Sequence, residues 1–178
     1  MKKSVFILSC ILFTPLLANI SPIAYADSGT QYQKREGYTK YEKLVLKNVS
    51  EFHKNFSSHE FFKNGDLVTD NIGYNSSGVQ NHGREAFIND LIALAAPFPD
   101  AKITDLVTIV DGNIAAVRYV LTGTHQGDLE TPDGVIPATG RKIKVDGIEL
   151  FTFDEHGKVT DIVAVDNINQ LLMQIQGK

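Results

Sequence analysis

The sequence predicts an α+β domain: helices packed on the concave face of a strongly bent antiparallel sheet. Three observations point there. Helical spacing of apolar residues is confined to the first half of the chain, between Tyr41 and Ala95, and to its last turns. From Lys102 onward the pattern is strand-like, with tight turns between long runs. Those runs are roughly 9 to 13 residues long, against a usual strand of about 5 to 6. Segregated helices and long strands give helices on one sheet face, and long strands that bend around them can enclose a pocket.

Each element has its own signal. Thr39-Lys40-Tyr41-Glu42 has the form of a capping box. Tyr41, Val45, Val49, Phe52 and Phe56 follow at helical spacing and predict a helix of about 17 residues. Ser57 to Glu60 introduces a short second helix through Phe61 and Phe62, ended by Asn64-Gly65. Leu67 to Tyr74 reads as a strand, and the polar run after it as a loop. Helix spacing returns from Arg84, with Phe87, Leu91, Leu94 and Ala95 on one face, until Pro97 and Pro99 stop it. Lys102–Val110 and Asn113–His125 form a hairpin around Asp111-Gly112-Asn113. A long loop with Pro132, Gly134, Pro137 and Gly140 leads to a third strand, Arg141–Phe153. A short turn with Gly157 at its left-handed position precedes the fourth strand, Val159–Asp166. Ile168, Leu171, Leu172 and Ile175 then suggest a terminal helix.

The chain has 178 residues, 43% of them hydrophobic, enough for one globular domain. Residues 1–26 carry a basic start, an apolar run and Ala24-Tyr25-Ala26, the pattern of a secretory signal peptide. The expected organisation is that signal, a flexible polar lead-in over 27–38, and a single domain over 39–178. The mature protein would be exported, to a periplasm, cell envelope or medium, with no stable membrane insertion after cleavage. Cleavage would remove Cys10, the only cysteine, and with it any internal disulfide. The net charge of -4, without a basic cluster, argues against nucleic acid. The five histidines show no short-range metal pairing, and no phosphate-loop or dinucleotide pattern is present. No metal and no organic cofactor are expected.

Six segments fall in one consistent order: Asn81-His82-Gly83-Arg84-Glu85-Ala86-Phe87, Ala96-Pro97-Phe98-Pro99-Asp100, Ala116-Val117-Arg118-Tyr119, Gly123-Thr124-His125-Gln126-Gly127, Ala138-Thr139-Gly140-Arg141 and Gly147-Ile148-Glu149-Leu150-Phe151. The series resembles the SnoaL-like polyketide cyclase (ester cyclase) family, over roughly Tyr41 to Gln176. That family belongs to the group with the nuclear transport factor 2-like cone. The resemblance implies a cone with a deep apolar pocket for a small apolar ligand or substrate, often a homodimer through its outer sheet face. It also implies ring closure by an intramolecular aldol step without metal or cofactor. The acid that takes the proton would map to Asp166. Where many members carry His-Trp and further aromatics on that strand, this chain has Asp161-Ile162 and then Val163, Ala164 and Val165, which implies a smaller, aliphatic wall.

Proton abstraction beside a carbonyl needs a base and a group that stabilises the enolate. Burial of a carboxylate raises its pKa toward neutrality, so the candidates are acids on apolar strand faces. Alternation on the third strand groups Glu149 with Ile143, Val145, Gly147, Phe151 and Phe153. Glu149 is thus an acid on a core-like face; it points into the pocket, or it is a structural carboxylate paired with Arg118 or Arg141, or an interface residue. Asp146 lies on the opposite face, with Lys142 and Lys144. His125 could donate to an enolate, or it is a rim residue bonded to the next loop. Asp166 is the base, or it caps the terminal helix. Phe87, Tyr119, Leu121, Phe151 and Ala164 are the expected pocket lining. The alternatives to a cyclase, isomerase or lyase are a non-catalytic binder of a small apolar ligand and a dimeric scaffold.

Overall fold

The computed structural model describes residues 37–76, 78–131 and 133–177. The expected signal peptide and most of the lead-in lie outside the described residues. The elements run α1 (Lys40–Ser57), α2 (Phe61–Gly65), β1 (Val68–Ser76), β2 (Val79–His82), α3 (Arg84–Ala95), β3 (Lys102–Asp111), β4 (Ile114–Thr124), β5 (Leu129–Thr131), β6 (Gly134–Ile136), β7 (Lys142–Phe153), β8 (Val159–Asp166) and α4 (Ile168–Gln176).

Helix α1 begins at the expected capping box. The Glu42 N–H donates to Thr39 Oγ1 at 3.1 Å, and the Thr39 N–H donates to Glu42 Oε2 at 2.8 Å. Val45, Val49, Phe52 and Phe56 are buried, so one apolar stripe faces the sheet. In α3 only Phe87 and Ala95 of the expected face are buried; Leu94 is exposed.

Six strands form one sheet in the order β2-β1-β8-β7-β4-β3. The fold class is the one expected, with one departure in detail: β1 and β8 pair in parallel, and every other pair is antiparallel. β1 ends at Ser76 and β8 starts at Val159, far apart in the sequence, so their direction is not set by a hairpin. Two short hairpins occupy expected loops: β2 folds back on β1, and β5 pairs with β6. Gly157, at φ 78°, closes the β7–β8 turn as the sequence suggests.

The sheet separates two surfaces. Inner positions alternate along β4 (Ala115, Val117, Tyr119) and β7 (Ile143, Val145, Gly147, Phe151, Phe153), all buried. The principal core joins Ala115, Val117, Tyr119, Phe151 and Phe153 to Val45, Val49, Phe52, Ile72, Tyr74 and Phe87. A second cluster around Phe56, Phe61, Phe98, Ile143, Val145 and Ile175 fills the other end. The outer surface carries exposed Ile109, Ile114, Ile148, Leu150, Val163 and Val165. Val163 and Val165 therefore do not form an inner wall: alternation over the second half of β8 turns Ile162, Ala164 and Asp166 inward.

Candidate active site

The pairing register sets the site. Asp105 on β3 pairs with Tyr119 on β4, Tyr119 with Gly147 on β7, and Gly147 with Asp166 on β8. These four residues form one row across the sheet. The next row runs Thr108, Val117, Glu149 and Ala164. Directly paired residues share a face, so Asp105, Tyr119, Asp166 and Glu149 all stand on the inner surface.

Asp105 reaches that surface through a break in alternation. Thr108 and Val110 are the buried positions at the far end of β3, which would turn Asp105 outward. The register shifts between Asp105 and Val107. One inserted residue reverses the sense of every side chain before it, so this bulge turns Asp105 inward.

Helix α1 supplies the cation. His53 follows Phe52, lies on the apolar stripe and is 3% exposed. Its Nδ1 bonds to Asp105 Oδ1, and its Nε2 to Glu149 Oε2 at 2.7 Å. The rings of Phe52, Tyr119 and Phe151 stand around it at centroid distances of 6.0, 5.6 and 5.9 Å. Burial pushes the His53 pKa down, but the Glu149 charge and the hydrogen bonds to Asp105 and Glu149 outweigh it and raise it to about 9. His53 is thus an imidazolium donating from both nitrogens. It has no lone pair left for a metal.

The Tyr119 hydroxyl donates to Asp166 Oδ1 at 2.5 Å. Burial, then the charges of Glu149 and Asp166, hold its pKa well above the usual phenol range. Burial also raises the Asp166 pKa; the Tyr119 hydrogen bond opposes this and the Glu149 charge adds to it. Gly147 permits the Tyr119–Asp166 bond. A Cβ at Gly147 would lie 2.3 Å from Tyr119 Cζ and 2.4 Å from its Oη, so the phenol passes directly over the glycine.

The structure thus brings Asp166, Glu149 and Tyr119 together and leaves His125 elsewhere. His125 is six residues beyond Tyr119, about 20 Å at the usual strand rise. It is fully buried in the second cluster's region, with Nδ1 3.0 Å from Thr139 Oγ1 and its ring 5.3 Å from Phe98. Asp166 does not cap α4: Asn167 does, accepting from the Gln170 N–H at 3.0 Å. Glu149 takes His53 as its partner rather than an arginine, and Arg118 bonds Asp146 at 3.0 Å. Phe151 touches the His53 ring, and Ala164 pairs with Glu149. Phe87 packs on Phe52 and Tyr74, while Leu121 lies between the two clusters. The sequence reading missed His53 and Asp105.

The model of the SnoaL-like polyketide cyclase family matches residues 47–175. The chain belongs to the SnoaL-like polyketide cyclase family. All the residues of the site lie inside that span. Solved structures share the fold at low identity. A candidate SnoaL-like polyketide cyclase from Jannaschia sp. CCS1 superposes with a TM-score of 0.71 at 18% identity, covering 79% of this chain and 97% of its own. IdmH, a candidate polyketide cyclase from Streptomyces antibioticus, gives 0.64 at 18%, covering 74% and 98%. AclR from Streptomyces galilaeus, a candidate hydroxylase, gives 0.68 at 18%, covering 77% and 83%. The same cone thus carries different proposed chemistries, and function has to be argued from the site. No curated protein sequence matches the chain.

Proposed function

We propose that this SnoaL-like domain carries out cofactor-free acid/base chemistry on a small, neutral carbonyl compound, as a cyclase, isomerase or lyase. Asp166 is the base. It removes a proton from the carbon beside the carbonyl, and the electron pair moves onto the carbonyl oxygen. The Tyr119 hydroxyl, freed from Asp166 as that group becomes protonated, donates to the resulting enolate. The observation that carries this reading is the half-buried Asp166 carboxyl with the Tyr119 hydroxyl 2.5 Å away. A carboxylate of ordinary pKa is a weak base near neutrality, and the upward shift of Asp166 improves the match. The signal-peptide pattern of residues 1–26 supports a site of action outside the cytosol.

The test is mass spectrometry of compounds retained by the mature protein from an extract of its own source. The wild type is expected to return a retained compound chemically altered. Asp166→Asn, with the fold intact, should lose at least about 100-fold in turnover. A compound retained and returned unchanged would instead make the domain a binding protein, and an active Asp166→Asn would remove the base assignment.

We propose further that the domain is a homodimer through its outer sheet face. Ile109, Ala116, Leu150 and Val163 form one row there, and Ile148 and Val165 extend it in the next. A contiguous exposed apolar face of this kind marks an association surface, and a second copy fits it because a two-fold contact needs only self-complementarity. Light scattering at micromolar concentration is expected to give twice the monomer mass, and the Leu150→Lys, Val165→Lys variant the monomer mass. A monomeric wild type would overturn the proposal.

A further inference from the structure

The site holds three inward acids, and their bonding differs. Asp166 bonds a neutral hydroxyl, while Glu149 bonds a buried imidazolium whose other nitrogen is tied to Asp105. We propose that Glu149 is a positioning residue, held by His53 and Asp105 as a fixed negative charge beside the Tyr119–Asp166 pair, while Asp166 alone carries the proton. This rests on Asp166 as the proton carrier of the proposed function.

The geometry makes the arrangement rigid. The His53 ring cannot turn without breaking both carboxylate bonds, and three aromatic rings enclose it. The side chains of Asp105 and Glu149 are 11% and 12% exposed, so water screens neither strongly. Glu149 lies two positions along β7 from Gly147, the residue between Tyr119 and Asp166 in the neighbouring row. The groups facing Asp166 are Tyr119 from β4 and Glu149 from β7, with His53 from α1 and Asp105 from β3 behind Glu149. Helix α4, which follows Asp166, contains no charged residue. Glu149 is therefore the anion beside the Tyr119–Asp166 pair on the inner face of β7, and its charge both opposes loss of the Asp166 proton and keeps the Tyr119 hydroxyl a donor.

Carbon-detected NMR titration tests this without any substrate, the Asp166 carboxyl being assigned by its loss in Asp166→Asn. Glu149→Gln keeps an oxygen that can accept from His53 Nε2 and removes only the charge. The Asp166 midpoint is expected to fall by on the order of one pH unit. Glu149→Asp restores the charge and should return the midpoint toward the wild-type value. An unmoved midpoint in Glu149→Gln, or equal midpoints in the two variants, would overturn the proposal. A shift and rescue without turnover of any compound would uphold the charge arrangement and remove only the enzymatic reading.

Discussion

Replacing His53 with leucine is expected to cost about 3–5 kcal/mol of stability near pH 7, measured by urea denaturation. Leucine fills much of the space but removes the cation between Asp105 and Glu149. Two inward carboxylates are then left without their shared partner. The size of this effect comes from stranding buried charge, not from the net worth of the ion pairs. The triple variant His53→Leu, Asp105→Asn, Glu149→Gln carries no stranded charge and should recover most of the loss. A cost below about 1 kcal/mol for His53→Leu would show that water or rearrangement compensates the carboxylates.

The pH dependence has a definite sign. The folded-state pKa of His53 is about 9, above its ordinary 6.5. The folded protein therefore holds this proton where the unfolded chain has released it. The stabilisation is fully present below pH 6.5 and declines as pH rises through about 9. The shift corresponds to about 3 kcal/mol at 1.36 kcal/mol per unit. The gap between wild type and His53→Leu should accordingly narrow on the alkaline side. A gap that stays constant from pH 6 to 10 would mean that His53 is not the imidazolium its two bonds require.

These residues also show what a single sequence can and cannot disclose. The inward turn of Glu149 was legible because β7 alternates without interruption, and an acid among Val145, Gly147 and Phe151 stands out. Its partner lies on α1, where His53 stands four residues after Val49 and three before Phe56, on the same apolar stripe. A histidine at such a position is the available signal for a buried cation. Asp105 was hidden for a different reason: strict alternation turns it outward, and only the bulge between Asp105 and Val107 reverses it. Bulges have no dependable signature in one sequence. His125 continues the alternation of Val117, Tyr119 and Leu121, but it follows the last residue of β4, Thr124, and the length of the strand beyond Tyr119 separates it from the acids. Asp166 stood one residue from a helix start, and the choice between it and Asn167 as cap was a matter of side-chain direction. The strand order was partly legible. Hairpins follow from turns, but the parallel β1–β8 pair joins segments far apart in the chain, where no local turn fixes direction.

Gly147→Ala is expected to disrupt the site through one methyl group. Gly147 has no left-handed φ, so the backbone itself accepts alanine. The obstacle is the Tyr119 ring, whose Cζ, Oη and Cε2 would lie 2.3, 2.4 and 2.7 Å from the new Cβ. No ordinary contact is that short, so either the phenol or strand β7 must move. Both are packed in the core, and overpacking of this kind costs about 1–3 kcal/mol. Displacing the ring also breaks the Tyr119–Asp166 bond. That bond opposes the upward shift of Asp166, so its loss should move the Asp166 titration to higher pH. Shortening Tyr119 separates the two effects. In a Tyr119→Ala background the methyl group meets no ring, and Gly147→Ala should be neutral or stabilising by up to about 1 kcal/mol, through a less flexible unfolded chain. The two substitutions must then be coupled by more than about 1 kcal/mol in a double-mutant cycle. Additive costs would mean that the glycine is not there to let the phenol cross, and that some other feature of β7 excludes a side chain at this position.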